Sequence, residues 1–180
     1  MGRSRCGGES TQGKEPSISF QTLLKQDCSV TALALSPDAT VVYCGSSDAL
    51  VHFWEPENQF SHVGVLRCHK QAVLCLVAAG KLVISGSADM GISVWKRSGK
   101  EHFCSSILTG HSGLVKCLAI ERDQESTSGE VRWILYSSSL DKAVKMWRIS
   151  ELAPPIKQEQ LRSDNKCIPS WQYNKLPKSF

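Results

Sequence analysis

Three segments of eleven residues share one pattern, and their regular spacing constrains the fold more than any other feature of this 180-residue chain. Each segment holds an aspartate six residues before a tryptophan: Asp48 and Trp54, Asp89 and Trp95, Asp141 and Trp147. The first two aspartates are 41 residues apart and the last two are 52 residues apart. A polar run at 121–130 explains most of the difference, because it is typical of a loop insertion. A period near 40 residues predicts a repeat architecture.

Each repeat contains short runs that are rich in valine and leucine and bounded by turn residues. The runs at 30–35, 73–78 and 115–120 open the repeats, and we expect these strands to be buried on both faces. A second strand and the tryptophan strand follow in every repeat, and a more polar fourth strand follows in the first two. No segment has a helical period. The sequence therefore predicts an all-β fold with about three four-stranded antiparallel blades, which is a partial β-propeller.

The residues ahead of these segments carry a family resemblance. The third repeat has Gly110-His111 ahead of its aspartate and tryptophan, and the second has Cys68-His69 at the same place. Both resemble WD repeats, and the resemblance covers about residues 18–149. The second and third repeats are similar to plant WD-repeat proteins of the Jingubang-like group. The resemblance implies a WD-repeat propeller that acts as a protein-interaction scaffold.

The same resemblance implies a hydrogen-bonded tetrad in each complete repeat. By position the tetrads are His69, Ser85, Asp89 and Trp95 in the second repeat, and His111, Ser137, Asp141 and Trp147 in the third. Such buried polar groups each cost several kcal/mol unless they satisfy one another. The first repeat is degenerate and should be less rigid, because Gln26 and Cys44 stand at the His and Ser positions beside Asp48 and Trp54.

Serine, histidine and aspartate also form hydrolytic triads, and a hydrolase is the least favoured alternative. A triad needs an exposed nucleophile, whereas this set recurs in two repeats and closes on a tryptophan. The sequence contains no nucleophile elbow, phosphate loop or His-Glu-x-x-His motif. The eight cysteines include no Cys-x-x-Cys pair. We therefore expect no enzyme, no metal and no cofactor.

The tetrad geometry also predicts where partners bind. The histidine loops and the aspartate turns must lie on one rim, since each histidine has to reach its aspartate. The candidate contacts on this rim are Lys70, Gln71, Met90, Ser112, Leu114 and Leu140. Apolar residues in turns suit a protein or peptide partner, although they also pack on neighbouring loops. A regulatory adaptor in signalling or transcriptional control is the expected role.

Composition excludes several other classes of function. The formal charge of +4 is spread along the chain, which argues against a nucleic-acid-binding face. No apolar stretch approaches the length of a membrane span, and the basic start of the chain lacks the apolar core of a secretory signal. The cysteine pattern and the lack of glycosylation sites predict reduced thiols and a cytoplasmic or nuclear location.

Three blades are fewer than a closed propeller contains, so we expect open end faces. The expected organisation is a disordered segment at 1–16, three repeats within 17–150, and a disordered tail at 151–180. The repeats are placed at about 26–66, 67–108 and 109–150. Self-association would cover the open blades. The alternative is that the chain is a non-functional truncation of a longer WD-repeat protein.

Overall fold

A computed structural model describes residues 28–56, 61–125 and 130–152 of the chain. These residues contain eleven β-strands and no α-helix. In chain order the strands are β1 (Val30–Leu35), β2 (Val42–Ser46), β3 (Leu50–Glu55), β4 (Ser61–Arg67), β5 (Val73–Ala79), β6 (Leu82–Ser87), β7 (Ile92–Ser98), β8 (Glu101–Leu108), β9 (Val115–Arg122), β10 (Arg132–Ser139) and β11 (Val144–Ser150). The predicted disordered segment, Gln26 and most of the predicted tail lie outside the described residues.

The strands form three antiparallel sheets, each a meander of consecutive strands. Blade 1 has the order β1-β2-β3-β4 and blade 2 the order β5-β6-β7-β8. Blade 3 has three strands in the described part of the chain, in the order β9-β10-β11. The predicted all-β, partial-propeller fold is confirmed.

The same tight turn joins the second and third strands of every blade. The residue that follows the aspartate of the Asp-to-Trp pattern has a positive φ in each blade: Ala49 (71°), Met90 (69°) and Lys142 (67°). Its N–H donates to the carbonyl three residues earlier, at 3.2–3.3 Å. A turn followed by one left-handed residue matches the twist of the two strands, so it fixes their register.

Blade 2 lies between the other two blades, and each of its faces contributes to a separate core. The first core fills the space between blades 1 and 2 and includes Val51, Phe53, Val73, Leu76 and Trp95. The second core lies between blades 2 and 3 and includes Ile92, Val94, Val115, Leu118 and Leu135. The first strand is buried on both faces only in blade 2, because β1 and β9 each present one side to solvent. The expectation that all three would be buried was wrong for these two strands.

Two glycines allow the blades to approach closely. A Cβ atom built at Gly45 would lie 2.8 Å from Val73 Cγ1, and one at Gly86 would lie 2.7 Å from Val115 Cγ1. Such distances are shorter than packed carbon atoms tolerate. In both cases the valine opens the first strand of the next blade. The equivalent residue in blade 3 is Ser138.

Polar contacts also join blades 1 and 2. The Arg97 guanidinium on β7 forms an ion pair with Asp38 and donates a 2.6 Å hydrogen bond to Thr40 Oγ1 in the β1–β2 turn. Deeper in the interface, the Tyr43 hydroxyl lies 2.8 Å from His102 Nε2. Burial raises the pKa of Tyr43 to about 12 and lowers the pKa of His102 to about 4. Both side chains are therefore neutral at pH 7, so the Tyr43 O–H donates to His102 Nε2.

The cysteines depart in part from expectation. Cys28, Cys44, Cys75, Cys104 and Cys117 are free thiols, but Cys68 is disulfide-bonded, which contradicts the prediction of reduced thiols throughout. Burial raises the pKa of Cys75 and of Cys104 to about 12. Cys117 is exposed, although its apolar strand suggested a buried position. Separately, the described part of the chain has no helix able to cross a membrane.

Candidate functional site: polar networks and the turn rim

In blade 2 the four predicted tetrad residues form one hydrogen-bonded chain. His69 Nδ1 lies 3.0 Å from Asp89 Oδ2, and His69 Nε2 lies 2.8 Å from Ser85 Oγ. The Trp95 indole N–H donates to the same hydroxyl at 3.3 Å. With His69 neutral and protonated on Nδ1, every group has a partner, because the Ser85 hydroxyl then donates to Nε2.

Blade 3 repeats this chain with shorter contacts. His111 Nδ1 lies 2.7 Å from Asp141 Oδ2, and His111 Nε2 lies 2.8 Å from Ser137 Oγ. The Trp147 indole N–H donates to Ser137 Oγ at 2.9 Å. The structure therefore brings together both sets of side chains that the sequence placed in tetrads.

The aspartates connect the loop ahead of the first strand to the turn that follows the second. Asp89 accepts hydrogen bonds from the backbone N–H of Lys70 and of Gly91, both at 2.9 Å. Burial favours the neutral acid, but the hydrogen bond from His69, together with these N–H donors, lowers the pKa of Asp89 to about 2. Asp89 is therefore ionised at pH 7, and its hydrogen bonds hold the loop before β5 against the β6–β7 turn.

Asp141 is held in the same way. It accepts from the backbone N–H of Ser112 at 3.1 Å and of Ala143 at 3.0 Å. Desolvation again raises its pKa, but the His111 hydrogen bond and these two N–H donors outweigh that effect and bring the pKa to about 2.

Blade 1 holds its aspartate by a different route. Asp48 Oδ2 lies 3.2 Å from His52 Nε2, and His52 Nδ1 lies 3.3 Å from His62 Nε2. Burial raises the pKa of Asp48, but hydrogen bonds from the Leu50 N–H, Ser46 and His52 outweigh this effect and leave the pKa lowered. Burial and the adjacent His52 both lower the pKa of His62.

The tryptophan of blade 1 is not part of this network. The Trp54 ring is buried and stacks on His52 with centroids 6.1 Å apart, but its indole N–H has no hydrogen-bond partner among the residues that the structure describes. Cys44, at the serine position, instead directs its thiol to the Gly45 carbonyl at 3.7 Å. Sequence reasoning identified Cys44 as a departure and kept Trp54 as a member of the pattern, but it missed His52 and His62. Two-residue alternation along β3 was the available signal, since it places His52 on the same face as Trp54.

The serines of the two tetrads are inaccessible. Ser85 and Ser137 are both 0% exposed, and each hydroxyl is occupied by a histidine and a tryptophan. A catalytic serine must instead reach a substrate carbon. Within the described ranges, no three His, Cys, Asp or Glu side chains are grouped so that they could hold a metal ion.

The predicted rim residues lie beside the aspartate turns. Lys70, Gln71 and Ser112 are exposed. Met90 and Leu140 are 43% and 59% exposed at the turn tips. Leu114 is half-buried, and its carbonyl accepts the Leu140 N–H at 3.0 Å. Blades 2 and 3 therefore each present one apolar turn residue next to exposed polar loop residues.

The structure also contains a groove that the sequence did not predict. It has a volume of about 580 Å³ and lies at the edge of the blades opposite the rim, where β5 turns into β6. Its walls are mostly apolar but include three charged residues. The lining includes Pro37, Ala78, Lys81, Ile120, Arg122, Trp133 and Glu151. Within this lining, the Glu151 carboxylate accepts the Trp133 indole N–H at 2.8 Å.

Comparison with known proteins decides the family. The model of the WD domain, G-beta repeat, matches this chain three times, at residues 19–55, 60–96 and 102–148. The chain belongs to the WD40 repeat family. WD40 proteins generally act as protein-interaction scaffolds and are generally non-catalytic.

Several curated proteins are similar to parts of this WD40 chain. Kinesin-like protein KIF21B of Homo sapiens is 31% identical over 134 residues, which are 68% of this chain and 7% of that protein. U3 snoRNP-associated protein-like EMB2271 of Arabidopsis thaliana is 25% identical over 79% of this chain and 32% of its own length. Nuclear distribution protein PAC1 of Arthroderma otae is 25% identical over 73% of this chain and 30% of its own length. The chain thus spans less than a third of the length of each of these relatives.

Proposed function

We propose that this chain is a non-catalytic scaffold that binds a protein or peptide at its turn rim. The rim is defined by Lys70, Gln71, Met90, Ser112, Leu114 and Leu140. The observation that carries the proposal is the exposure of Met90 and Leu140 on turns that ionised aspartates hold in place. Apolar side chains on rigid turns lose little conformational entropy on binding, so they are effective contacts.

The charge of the rim indicates the kind of peptide that would bind. Lys70 and Lys142 stand beside Met90 and Leu140, respectively, while both aspartates are already engaged by histidines and backbone N–H groups. The exposed charge at these turns is therefore positive. A peptide with an apolar side chain next to a carboxylate would complement both features.

Selection from a random peptide library displayed on phage tests this proposal without a known partner. We expect the folded chain to enrich a consensus, and we expect Leu140→Asp or Met90→Asp to weaken binding of a synthetic consensus peptide at least about tenfold. Val63→Asp is the matched control, because Val63 is 40% exposed on β4, away from the turns. Binding that survives both rim substitutions, or that Val63→Asp abolishes equally, would contradict the rim assignment.

The proposed absence of catalysis is tested separately. A fluorophosphonate probe labels serines that an adjacent base activates. Because Ser85 and Ser137 are buried and accept tryptophan N–H groups, we expect the folded chain to remain unlabelled at both positions. Stoichiometric labelling of either serine, located by peptide mass spectrometry, would support the hydrolase alternative.

The proposal also includes a more specific role, family subgroup and cellular location for the chain. An adaptor role in signalling or transcriptional control, a relation to the plant Jingubang-like group, and a cytoplasmic or nuclear location are consistent with a WD40 scaffold. We retain as proposals the repeat limits of about 26–66, 67–108 and 109–150. The competing proposal, a non-functional truncation of a longer protein, is favoured by the exposed apolar end faces. It predicts that the purified chain aggregates, whereas the scaffold proposal requires a folded species that stays in solution.

A further inference from the structure

The groove at the edge opposite the turn rim is a cavity between blades 2 and 3. Its volume of about 580 Å³ lies within the usual range of ligand sites, and it is large enough for a few side chains of a peptide. One wall is the β5–β6 turn of blade 2, and the other is formed by β9, β10 and the residue that follows β11 in blade 3. The proposed function uses only the turn rim and leaves this cavity unassigned.

Glu151 holds the two walls together. Its Oε1 accepts the Trp133 indole N–H at 2.8 Å and the backbone N–H of Lys81 at 3.3 Å, so one carboxylate joins both blades. Its backbone carbonyl accepts a hydrogen bond from Lys96 Nζ on β7. Gly80 leaves the space for this approach, because a Cβ atom there would collide with the Glu151 carboxylate. Walls that are already held in place lose little entropy when a ligand binds between them.

The charged groups of the groove differ in whether they have partners. Glu151 is engaged by the contacts above, whereas the side chains of Lys81 and Arg122 form no hydrogen bond or ion pair with a described residue. Lys81 belongs to the blade 2 wall. Arg122 lies opposite Trp133 in the β9–β10 pairing, so both side chains point to the groove side of blade 3. The groove therefore carries an exposed, unpaired cation on each wall.

The rest of the lining is largely apolar and includes one aromatic ring. The apolar lining residues are Pro37, Ala78, Ala79, Ile120, Val131 and Trp133. Such a surface suits an apolar side chain, and an aromatic one packs favourably on an indole ring. We propose that the groove binds an acidic peptide segment of another protein, with one aromatic side chain against Trp133 and carboxylates on Lys81 and Arg122.

The ends of this chain do not match the groove in charge. Residues 153–180 follow the groove residue Glu151 closely and contain five Lys or Arg and two Asp or Glu, a formal charge of +3. Residues 1–27 contain four Lys or Arg and three Asp or Glu, a formal charge of +1. Positive segments are repelled by Lys81 and Arg122, so an acidic segment of a different molecule is the better electrostatic partner.

Fluorescence anisotropy of labelled peptides on the purified full chain measures this binding. The probe is fluorescein-labelled Glu-Glu-Phe-Glu-Glu, and a matched peptide carries Ser in place of Phe. We expect Lys81→Glu or Arg122→Glu to weaken probe binding about tenfold, and the Ser peptide to bind about tenfold more weakly than the probe. Lys100→Glu is the control, because Lys100 is exposed in the β7–β8 turn at the same edge but does not line the groove. Equal weakening by all three substitutions would indicate general charge attraction and overturn the proposal.

Reversing the charges on both partners gives a gain-of-binding test. The double variant Lys81→Glu/Arg122→Glu should lose the acidic probe and bind Lys-Lys-Phe-Lys-Lys, a peptide that the wild type should not bind. Both substitutions replace exposed residues, and near-UV circular dichroism verifies that the variant folds. A folded double variant that still binds the acidic probe as tightly as the wild type, or that binds neither peptide, would overturn the charge assignment.

A photoreactive peptide separates the groove from the turn rim. Replacing Phe by p-benzoylphenylalanine keeps an aromatic side chain, and irradiation attaches the peptide where it binds. We expect peptide mass spectrometry to locate the attachment on the blade 3 wall, at Ile120, Val131 or Trp133. Attachment confined to Met90 or Leu140 would support the rim and overturn the groove proposal. A peptide that attaches nowhere in the groove, including the case in which residues 153–180 fill it, would also overturn the proposal.

Discussion

Blades 1 and 2 share a turn, a strand order and the Asp-to-Trp spacing, yet they satisfy their buried polar groups differently. In blade 2, Ser85 links Trp95 to His69, and His69 links the strands to Asp89. In blade 1, His52 from β3 reaches Asp48, while the Trp54 N–H stays unpaired. The comparison shows that the aspartate turn forms independently of the tetrad. The tetrad instead ties the turn to the buried tryptophan.

The largest expected difference in stability between the two blades comes from removing the side chain at the serine position, which is Ser85 in blade 2 and Cys44 in blade 1. Ser85→Ala leaves the Trp95 N–H and His69 Nε2 buried without partners, so we expect a loss of about 2–4 kcal/mol in the free energy of unfolding. Cys44→Ala in blade 1 removes only a small buried side chain and should cost about 1 kcal/mol. Urea denaturation of both variants measures the difference. Equal losses would mean that the Ser85 hydroxyl adds nothing to blade 2 beyond its volume.

Acid should weaken blade 2 through Asp89. Its pKa lies at about 2 in the folded chain, below the ordinary value of 3.8. A lowered pKa means that the ionised carboxylate stabilises the fold above pH 4 and that this contribution disappears as the pH falls toward 2. The shift corresponds to about 2 kcal/mol.

The Asp89→Asn variant isolates this contribution. We expect it to be less stable than the wild type at pH 6 and to lose less stability between pH 5 and pH 2, measured as urea midpoints at each pH. Glu101→Gln, at an exposed position on β8, is the control and should follow the wild-type profile. If the profile of Asp89→Asn parallels that of the wild type, another carboxyl group governs the acid response.

Converting blade 1 toward the pattern of blade 2 should stabilise it. Cys44→Ser places a hydroxyl at the position from which Ser85 accepts the Trp95 N–H, so the Trp54 N–H gains an acceptor. We expect a gain of about 1 kcal/mol in the free energy of unfolding. A red shift of Trp54 fluorescence together with lower stability would instead show that the hydroxyl stays unpaired in an apolar site. Cys104→Ser is the matched control and should destabilise, because buried Cys104 lies opposite Trp95, whose indole N–H already has an acceptor in Ser85.

The smallest effect concerns the feature that both blades share. Ala49 and Met90 adopt positive φ values of 71° and 69°, a conformation that costs a side-chain-bearing residue about 1 kcal/mol. We expect Ala49→Gly and Met90→Gly to raise stability by similar amounts, about 0.5–1 kcal/mol each. Ala88→Gly, in the same turn but without a positive φ, should lower it slightly. A gain at only one of the two positions would show that the turns are not energetically equivalent.

Local spacing explains why much of the fold was predictable. The Asp-to-Trp interval, the apolar strand runs and the turn residues are short-range features, and each determines one hairpin. The approach of His69 and His111 to Asp89 and Asp141 was implied by the resemblance to WD repeats. The disulfide at Cys68 and the exposure of Cys117 could not be inferred in this way, because both depend on what lies next to these residues in space.

The sequence by itself therefore determined the β-strands and their order within each blade, and its resemblance to WD repeats indicated the residues that meet in the two complete tetrads. The tertiary structure alone decided which apolar faces are covered. Val94 and Met146 have equivalent positions and similar hydrophobicity, yet one is 0% and the other 52% exposed, because among the described strands only blade 2 has a blade on each side. It also decided that His52 contacts Asp48 in blade 1 while His62 contacts His52. The groove beside Trp133 is likewise a feature of the tertiary structure. The physical reason is that hydrogen bonds along a hairpin depend on sequence separation, whereas burial depends on which neighbour occupies the adjacent space.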